Sequence, residues 1–321
     1  MDSQNKPIVV YVCRLQDTDS SGKFARFFDS YKQHPPGHDH DLVVIKKGFQ
    51  NDEKDWKQWT AQMTGIPFEL RAYPDKNYVF GYIRQLMEEY PDKYILVLNA
   101  SSEILVDDWL SRYMIHAAPG RLLGAMGAYT SLAAPPFTWY NLLRSSGRNR
   151  SIWRQSLLRR LTGCQGNTDV DKSLFHPFPN PGLRTTGFMI PPGILNSIWY
   201  WPRAEEIHSK LIEHLFESGK YGLTVQSLAA GYEVLVVAAD GQAWPIDRWR
   251  ESETFRHKEQ KNLIIGDHLS KKYRNASPKV KVKLEKMTFG SASEEIIHNR
   301  IELMRNTDMT KIHSFYPRKP I

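Results

Sequence analysis

An α/β fold is the class this sequence predicts, with a mostly parallel central sheet flanked by helices and a basic C-terminal extension. Three observations predict it. Short unbroken apolar runs alternate with stretches whose apolar residues recur at helical spacing. The connections between them are short over residues 7–130. No apolar run is longer than a strand. Unbroken Val, Ile and Leu runs mark strands buried on both faces, the pattern of a parallel sheet covered by helices.

Residues 7–14 (PIVVYVCR) form a β-branched run and predict the first strand. Phe24, Phe27, Phe28 and Tyr31 lie on one face of a predicted helix. Residues 41–46 (DLVVIK) predict a second strand stopped by Gly48, and residues 52–63 a helix carrying Trp56 and Trp59. Strands at 68–73 and 94–99 flank a helix at 78–89 that Pro91 ends. A helix at 107–116 and a fifth strand at 122–129 complete the regular half.

The second half is less periodic. Residues 133–141 read as a Pro and aromatic loop, and residues 162–183, rich in Gly, Pro and Asn, as a long loop. A strand at 185–190, a helix at 204–216, a strand at 232–238 and a helix at 293–305 are predicted, with a basic polar stretch at 271–286.

The chain of 321 residues is long enough for one large domain or two modest ones. Lys plus Arg is 43 and Asp plus Glu 35, a net charge of +8, which suits an anionic partner: nucleic acid, a membrane surface or a phosphorylated small molecule. Two cysteines, Cys13 and Cys164, build neither a disulfide framework nor a sulfur-only zinc site, so a reducing compartment is expected. No run approaches the ~20 apolar residues of a membrane helix, and the polar start lacks a leader's apolar core. A cytoplasmic location is the expectation. The P-loop pattern, G-x-G-x-x-G after a strand, H-E-x-x-H, C-x-x-C and G-x-S-x-G are all absent, which removes the common nucleotide, zinc and serine-hydrolase signatures.

In open parallel sheets ligands bind outside the carboxyl ends of the strands. That rule gathers residues 14–19, 46–49, 73–77 and 99–103 into one crevice. Within it, YVFGYIRQLMEEYPDKYILVLNASSEILVDDWL resembles the core of GT-A glycosyltransferases of the family 2 type. In that family a helix with Ala-Arg-Asn precedes a strand ending in Asp-x-Asp. Here Arg84 and Gln85 stand at the Arg-Asn pair, Asn99 and Ser101 at the two acids, and Glu103 two residues on. A later stretch, FESGKYGLTVQSLAAGYEVLVV, is similar to the family's Glu-Asp segment. Glu217 stands on the Glu, Ser218 replaces the Asp, and Gly231-Tyr232 fits the turn.

The resemblance covers residues 7–240 and implies a GT-A-like domain over 1–268. Residues 7–130 would bind the nucleotide-sugar, residues 131–268 the acceptor, and residues 269–321 would form the basic extension. It further implies a transferase acting on a nucleotide-diphosphate sugar, with a glycan or lipid-linked acceptor and inversion through Glu217 as general base. Glu103 is the candidate ligand for Mg²⁺ or Mn²⁺, since the family's two acids are replaced by neutral Asn99 and Ser101. Arg14, Arg84, Arg184 or Arg256 could neutralise the leaving diphosphate instead, and Asp75 could accept hydrogen bonds from base or ribose.

Other readings stand beside this one. The weakened acid pair also fits a nucleotide-sugar or glycan binding protein without catalysis. Nucleic-acid binding ranks last, because no recognised module accompanies the arginines. Residues 135–161 interleave Phe137, Trp139 and Tyr140 with six arginines, suiting peripheral contact with an anionic membrane. Trp199 and Trp201 are candidate sugar-stacking residues or core, and the loop at 176–188 is a candidate acceptor wall.

Overall fold

The computed structural model describes residues 6–49, 53–74, 79–130, 171–207 and 209–316. The predicted alternation is present: β1 (Ile8–Arg14), α1 (Ser20–Gln33), β2 (Asp41–Lys47), α2 (Glu53–Thr60), β3 (Glu69–Tyr73), α3 (Val79–Glu89) and β4 (Ile95–Leu98). β1 is central and parallel to both β2 and β4, with Ile8 opposite Asp41 on one side and Ile95 on the other. Its alternate residues face opposite layers, so all of Ile8–Cys13 is buried.

β5 (Glu103–Ile104), α4 (Trp109–His116), β6 (Arg121–Gly124) and β7 (Gly127–Ala128) follow. The strand expected over 122–129 is therefore two. A Cβ on Gly124 would lie 2.7 Å from Leu183, and one on Gly127 would lie 2.3 Å from the Trp249 ring. Two glycines let the chain bend under these side chains. β6 stays in the large sheet, while β7 leaves it to pair with β8 (Gly182–Leu183).

β9 (Phe188–Ile190) runs antiparallel between β4 and β6. The short α5 (Ile194–Ser197) comes next. The helix expected over 204–216 begins later, as α6 (Lys210–Ser218). Its expected start is a closed turn instead, with the Glu206 carboxylate accepting from the Arg203 N–H at 2.7 Å. Ala204 there meets the bare Cα of Gly81, where a Cβ would lie 2.3 Å away. α7 (Leu223–Ala229), β10 (Glu233–Val237), β11 (Ala243–Pro245), β12 (Ile265–Gly266), α8 (His268–Arg274), α9 (Pro278–Phe289), α10 (Glu294–Arg305) and α11 (Ile312–Phe315) complete the order.

The large sheet has eight strands in the order β11-β10-β6-β9-β4-β1-β2-β3, with β9 and β11 antiparallel to the rest. The protein is thus α/β, with a mainly parallel sheet between helical layers. One layer packs Phe24, Phe27, Phe28, Trp56, Trp59 and Trp109 on Val9 and Tyr11. The other packs α3, α6, α7 and the C-terminal helices on Val10 and Val12, with Phe289, Ile301, Met304 and Ile312 in the same cluster.

Candidate functional site

After β1 the chain turns toward β2, and β4 lies on the other side of β1. Loops leaving two neighbouring strands in opposite directions open a crevice at their carboxyl ends. The short β5 leaves this crevice and pairs with β12, with Ile104 opposite Ile265. That pairing carries residues 265–271 onto the loop after β4, from more than 150 positions away in sequence. A cavity of about 240 Å³ results, lined by Lys23 and Arg26 of α1, the 100–103 segment, and Asp267, His268 and Lys271.

The charges in this cavity are arranged in pairs. Lys23 contacts Asp17 at 3.1 Å, Arg26 contacts Asp19 at 2.9 Å, and Lys271 stands 3.8 Å from Glu103. Asp19 lies in the left-handed region and rests its carboxylate on Gly22, where any Cβ would collide with it. Ser102 is 1 % exposed, and its Oγ has no hydrogen-bond partner among the described residues. A buried hydroxyl left unpaired in a cavity wall is costly and marks a place for a ligand atom or water.

Asp267 is buried and caps α8, accepting from the N–H groups of Leu269 and Ser270 at 2.9 and 2.8 Å. Burial acts to raise its carboxyl pKa. Arg184 at 3.2 Å and the Ser270 N–H outweigh burial and hold it below the usual carboxylate range. The Arg184 and Arg256 guanidinium groups lie 4.8 and 5.0 Å from the Phe255 ring centre.

The tripeptide Arg184-Thr185-Thr186 ties distant parts of the chain together. Arg184 holds Asp267. Thr185 Oγ1 donates to the Glu217 carboxylate at 3.1 Å. Thr186 Oγ1 accepts from the Asn99 amide at 2.5 Å. Asn99 in turn accepts from the Ser101 N–H at 2.9 Å, closing the turn that presents Ser101 and Ser102.

Among the residues expected from sequence, Asn99, Ser101, Glu103, Arg184 and Glu217 are therefore connected at one edge of the sheet. Glu217 sits in the last turn of α6, with His214 at 3.5 Å. Arg14 ends β1 on the same edge, 3.7 Å from Asp17. Arg84 is used differently. It bonds Glu88 one turn along α3 at 2.8 Å and the carbonyl of Trp201, fastening α3 to the segment before α6. Asp75 and residues 135–161 lie outside the described residues. Trp201 is core, donating to the Phe80 carbonyl at 2.8 Å, whereas Trp199 is 44 % exposed.

The donor set does not fit a divalent metal. Among the described residues no three His, Cys, Asp or Glu side chains gather as ligands. Glu103 stands beside an ammonium, and the Asn99 amide oxygen is engaged by the Ser101 N–H. Hard dications take several oxygen ligands, and among the described residues the carboxylates around this cavity are already paired with Lys23, Arg26, Arg184 and Lys271.

Lys23, Arg26, Asp267 and Lys271 escaped sequence reasoning, while Ser102, Thr185 and Thr186 lay within the segments 99–103 and 176–188 without being singled out. Asp267 alone left a usable signal, an Asp three residues before Ser270 at the start of an apolar-spaced stretch, the pattern of a capped helix.

No family model matches the chain, and no curated protein sequence matches it. Solved structures similar to it include a putative nucleotide-diphospho-sugar transferase from Desulfovibrio desulfuricans G20. It is 7 % identical, over 37 % of this chain and 58 % of that one, with a TM-score of 0.28. Core-mannan synthase A from Aspergillus fumigatus, in an Mn/GDP form, is 8 % identical over 59 % of this chain and 60 % of that one, at 0.32. A 4-diphosphocytidyl-2C-methyl-D-erythritol synthase is 10 % identical over 88 % of this chain and 98 % of that one, at 0.36. The chain thus spans less than two thirds of the length of the first two. Scores this low carry no functional argument. Among the described residues no helix is long and apolar enough to cross a membrane.

Proposed function

We propose that this chain is a glycosyltransferase of GT-A type, moving a sugar from a nucleotide-diphosphate donor to a hydroxyl of a glycan or lipid-linked acceptor. One observation carries the proposal: Asn99 and Glu217, 118 positions apart in sequence, meet on adjacent threonines beside a cation-lined cavity at the β1/β4 switch point. In transfer, the acceptor oxygen attacks the anomeric carbon and the bond to the β-phosphate oxygen breaks. The hydroxyl proton passes to the Glu217 carboxylate, and the nucleoside diphosphate leaves with its charge held by nearby cations. Single displacement inverts the anomeric centre. The Thr185 hydroxyl on Glu217 fixes the carboxylate's direction, a positioning role.

The acceptor side rests on sequence. The basic aromatic segment 135–161 suits docking on the cytoplasmic face of an anionic membrane, where a lipid-linked acceptor would lie. The test is a thermal-shift and turnover screen over UDP-, GDP-, dTDP- and CDP-sugars. Glu217→Gln is expected to lower donor turnover about 10²–10⁴-fold with donor affinity kept. Donor binding without turnover in the wild-type chain, across glycan and lipid-linked acceptors, would instead favour a non-catalytic sugar-nucleotide binder.

A further inference from the structure

We infer that the cavity between α1, the loop after β4 and α8 binds the donor's diphosphate through the protein's own cations and serine hydroxyls, without a divalent metal. The proposal rests on the donor assignment above and gives its phosphates a place.

The chemistry of the lining supports it. Lys23, Arg26 and Lys271 bring three positive charges from two elements to one volume of about 240 Å³. Two carboxylates share that wall, and one is already committed. Asp267 is buried, held by Arg184 and two backbone N–H groups. Only Glu103 remains accessible in the lining, and it stands 3.8 Å from Lys271. Asp17 and Asp19 hold Lys23 and Arg26 from the loop after β1. Each contact occupies one donor, whereas an ammonium has three and a guanidinium five. The cations are thus positioned by carboxylates while keeping donors for a ligand.

The second observation is the hydroxyl of Ser102. It lines the same cavity at 1 % exposure and has no hydrogen-bond partner among the described residues. Ser101 stands beside it, on the turn that Asn99 closes. A hydroxyl donor, ammonium groups and a guanidinium around a small cavity match the oxygens of a diphosphate. They do not match a dication, which would need the carboxylates that these cations already hold. At Asn99 and Ser101 the neutral residues make sense on these terms: a phosphate held by lysines requires no acids there.

The experiment is calorimetric titration of UDP, GDP, CDP, dTDP and inorganic pyrophosphate, each in EDTA and in Mn²⁺. At least one nucleoside diphosphate, and pyrophosphate itself, should bind in EDTA about as tightly as in Mn²⁺, and more weakly as salt rises. Lys23→Ala and Lys271→Ala should each weaken binding about tenfold or more, the loss of one charge-assisted contact. Lys23→Gln and Lys271→Gln serve where an alanine variant folds poorly. Ser102→Ala gives opposite signs in two readouts. The ligand-free melting temperature should rise, because an unpaired buried hydroxyl is gone, while ligand affinity falls.

Binding that requires Mn²⁺ would overturn the proposal and leave the donor assignment standing. So would binding unchanged in the Lys23→Ala/Lys271→Ala double variant. Metal-free binding of pyrophosphate, with no nucleotide of any base bound, would uphold the anion cavity and sink the nucleotide-sugar donor. No binding by any of the five would overturn both.

Discussion

The face of the sheet carrying Val9 and Tyr11 is covered mainly by α1, α2 and α4, with Phe255, Leu263, Ile265 and Leu269 joining them from far along the chain. The opposite face, carrying Val10 and Val12, draws its cover from three separated stretches: α3, the α6–α7 pair and the C-terminal helices. The first face is drawn mostly from the first half of the chain and is densely aromatic. Tyr11 stacks on Phe27 with ring centres 3.8 Å apart, and Phe24 packs against both Trp56 and Trp59. The second face is assembled at long range, and it includes α6 with Glu217. At the site, α1 supplies one wall of the cavity, while long-range contacts bring β12 and α8 to its other wall and α6 to Thr185.

This contrast can be broken by mutation, beginning with the first face. Trp109 is fully buried and donates to the His34 carbonyl at 3.1 Å. Trp109→Ala is expected to cost about 3–5 kcal/mol in urea unfolding, with loss of cooperativity first in the layer of α1, α2 and α4.

On the second face, Met304 of α10 is fully buried although it lies in the segment expected to form a basic extension, 269–321. Met304→Ala should cost about 2–4 kcal/mol if the C-terminal helices share the main core. A loss under about 0.5 kcal/mol would show the tail to be energetically separate.

The second face is also expected to be the acid-sensitive one. Burial, together with Arg300 and Lys220, lowers the His176 imidazole from its ordinary 6.5 to about 4. A neutral imidazole in the folded state favours folding above pH 6.5. That contribution is lost as pH falls from 6.5 toward 4, because the unfolded chain takes up the proton first. The loss amounts to about 3 kcal/mol at most. Melting temperature against pH should therefore slope down over that window, and His176→Gln should flatten it.

The smallest expected effect lies where the two faces are joined. Thr186→Val removes the acceptor of the Asn99 amide and should cost about 1 kcal/mol. It should also lower turnover more than that loss of stability explains, since the turn at Ser101 and Ser102 would lose its anchor. Unchanged kcat/KM in this variant would separate Asn99 from the site.

Much of the layering was legible in advance. Unbroken β-branched runs gave β1, β2 and β4, and the 24-27-28-31 spacing gave the buried side of α1. Both follow from periodicities set by the backbone itself. Less of the site could be read. Glu217 and Asn99 stood out through motif resemblance, but the threonines that join them lay in a Pro and Gly loop with no period. Lys23 and Arg26 read as ordinary surface charges of an amphipathic helix. Glu103 is expected in the crevice segment 99–103 as a metal ligand and is the start of β5 beside Lys271, a pairing hidden from sequence because the partner strand β12 lies far along the chain.

The sequence by itself determined the alternation, the strand interiors and the buried helix faces, and it pointed to the carboxyl edge as the expected place for a ligand. These depend on contacts and spacings within about 15 residues, or on the parity of a strand. Tertiary structure alone decided that β9 inserts antiparallel between β4 and β6, and that β12 carries Asp267 and Lys271 to the loop after β4. It also decided that Arg184-Thr185-Thr186 gathers Asp267, Glu217 and Asn99. Each of these is a pairing between segments separated by from about thirty to about 160 positions. Hydrogen-bond and charge partners chosen across such distances leave no period in either segment, so only the folded chain reveals them.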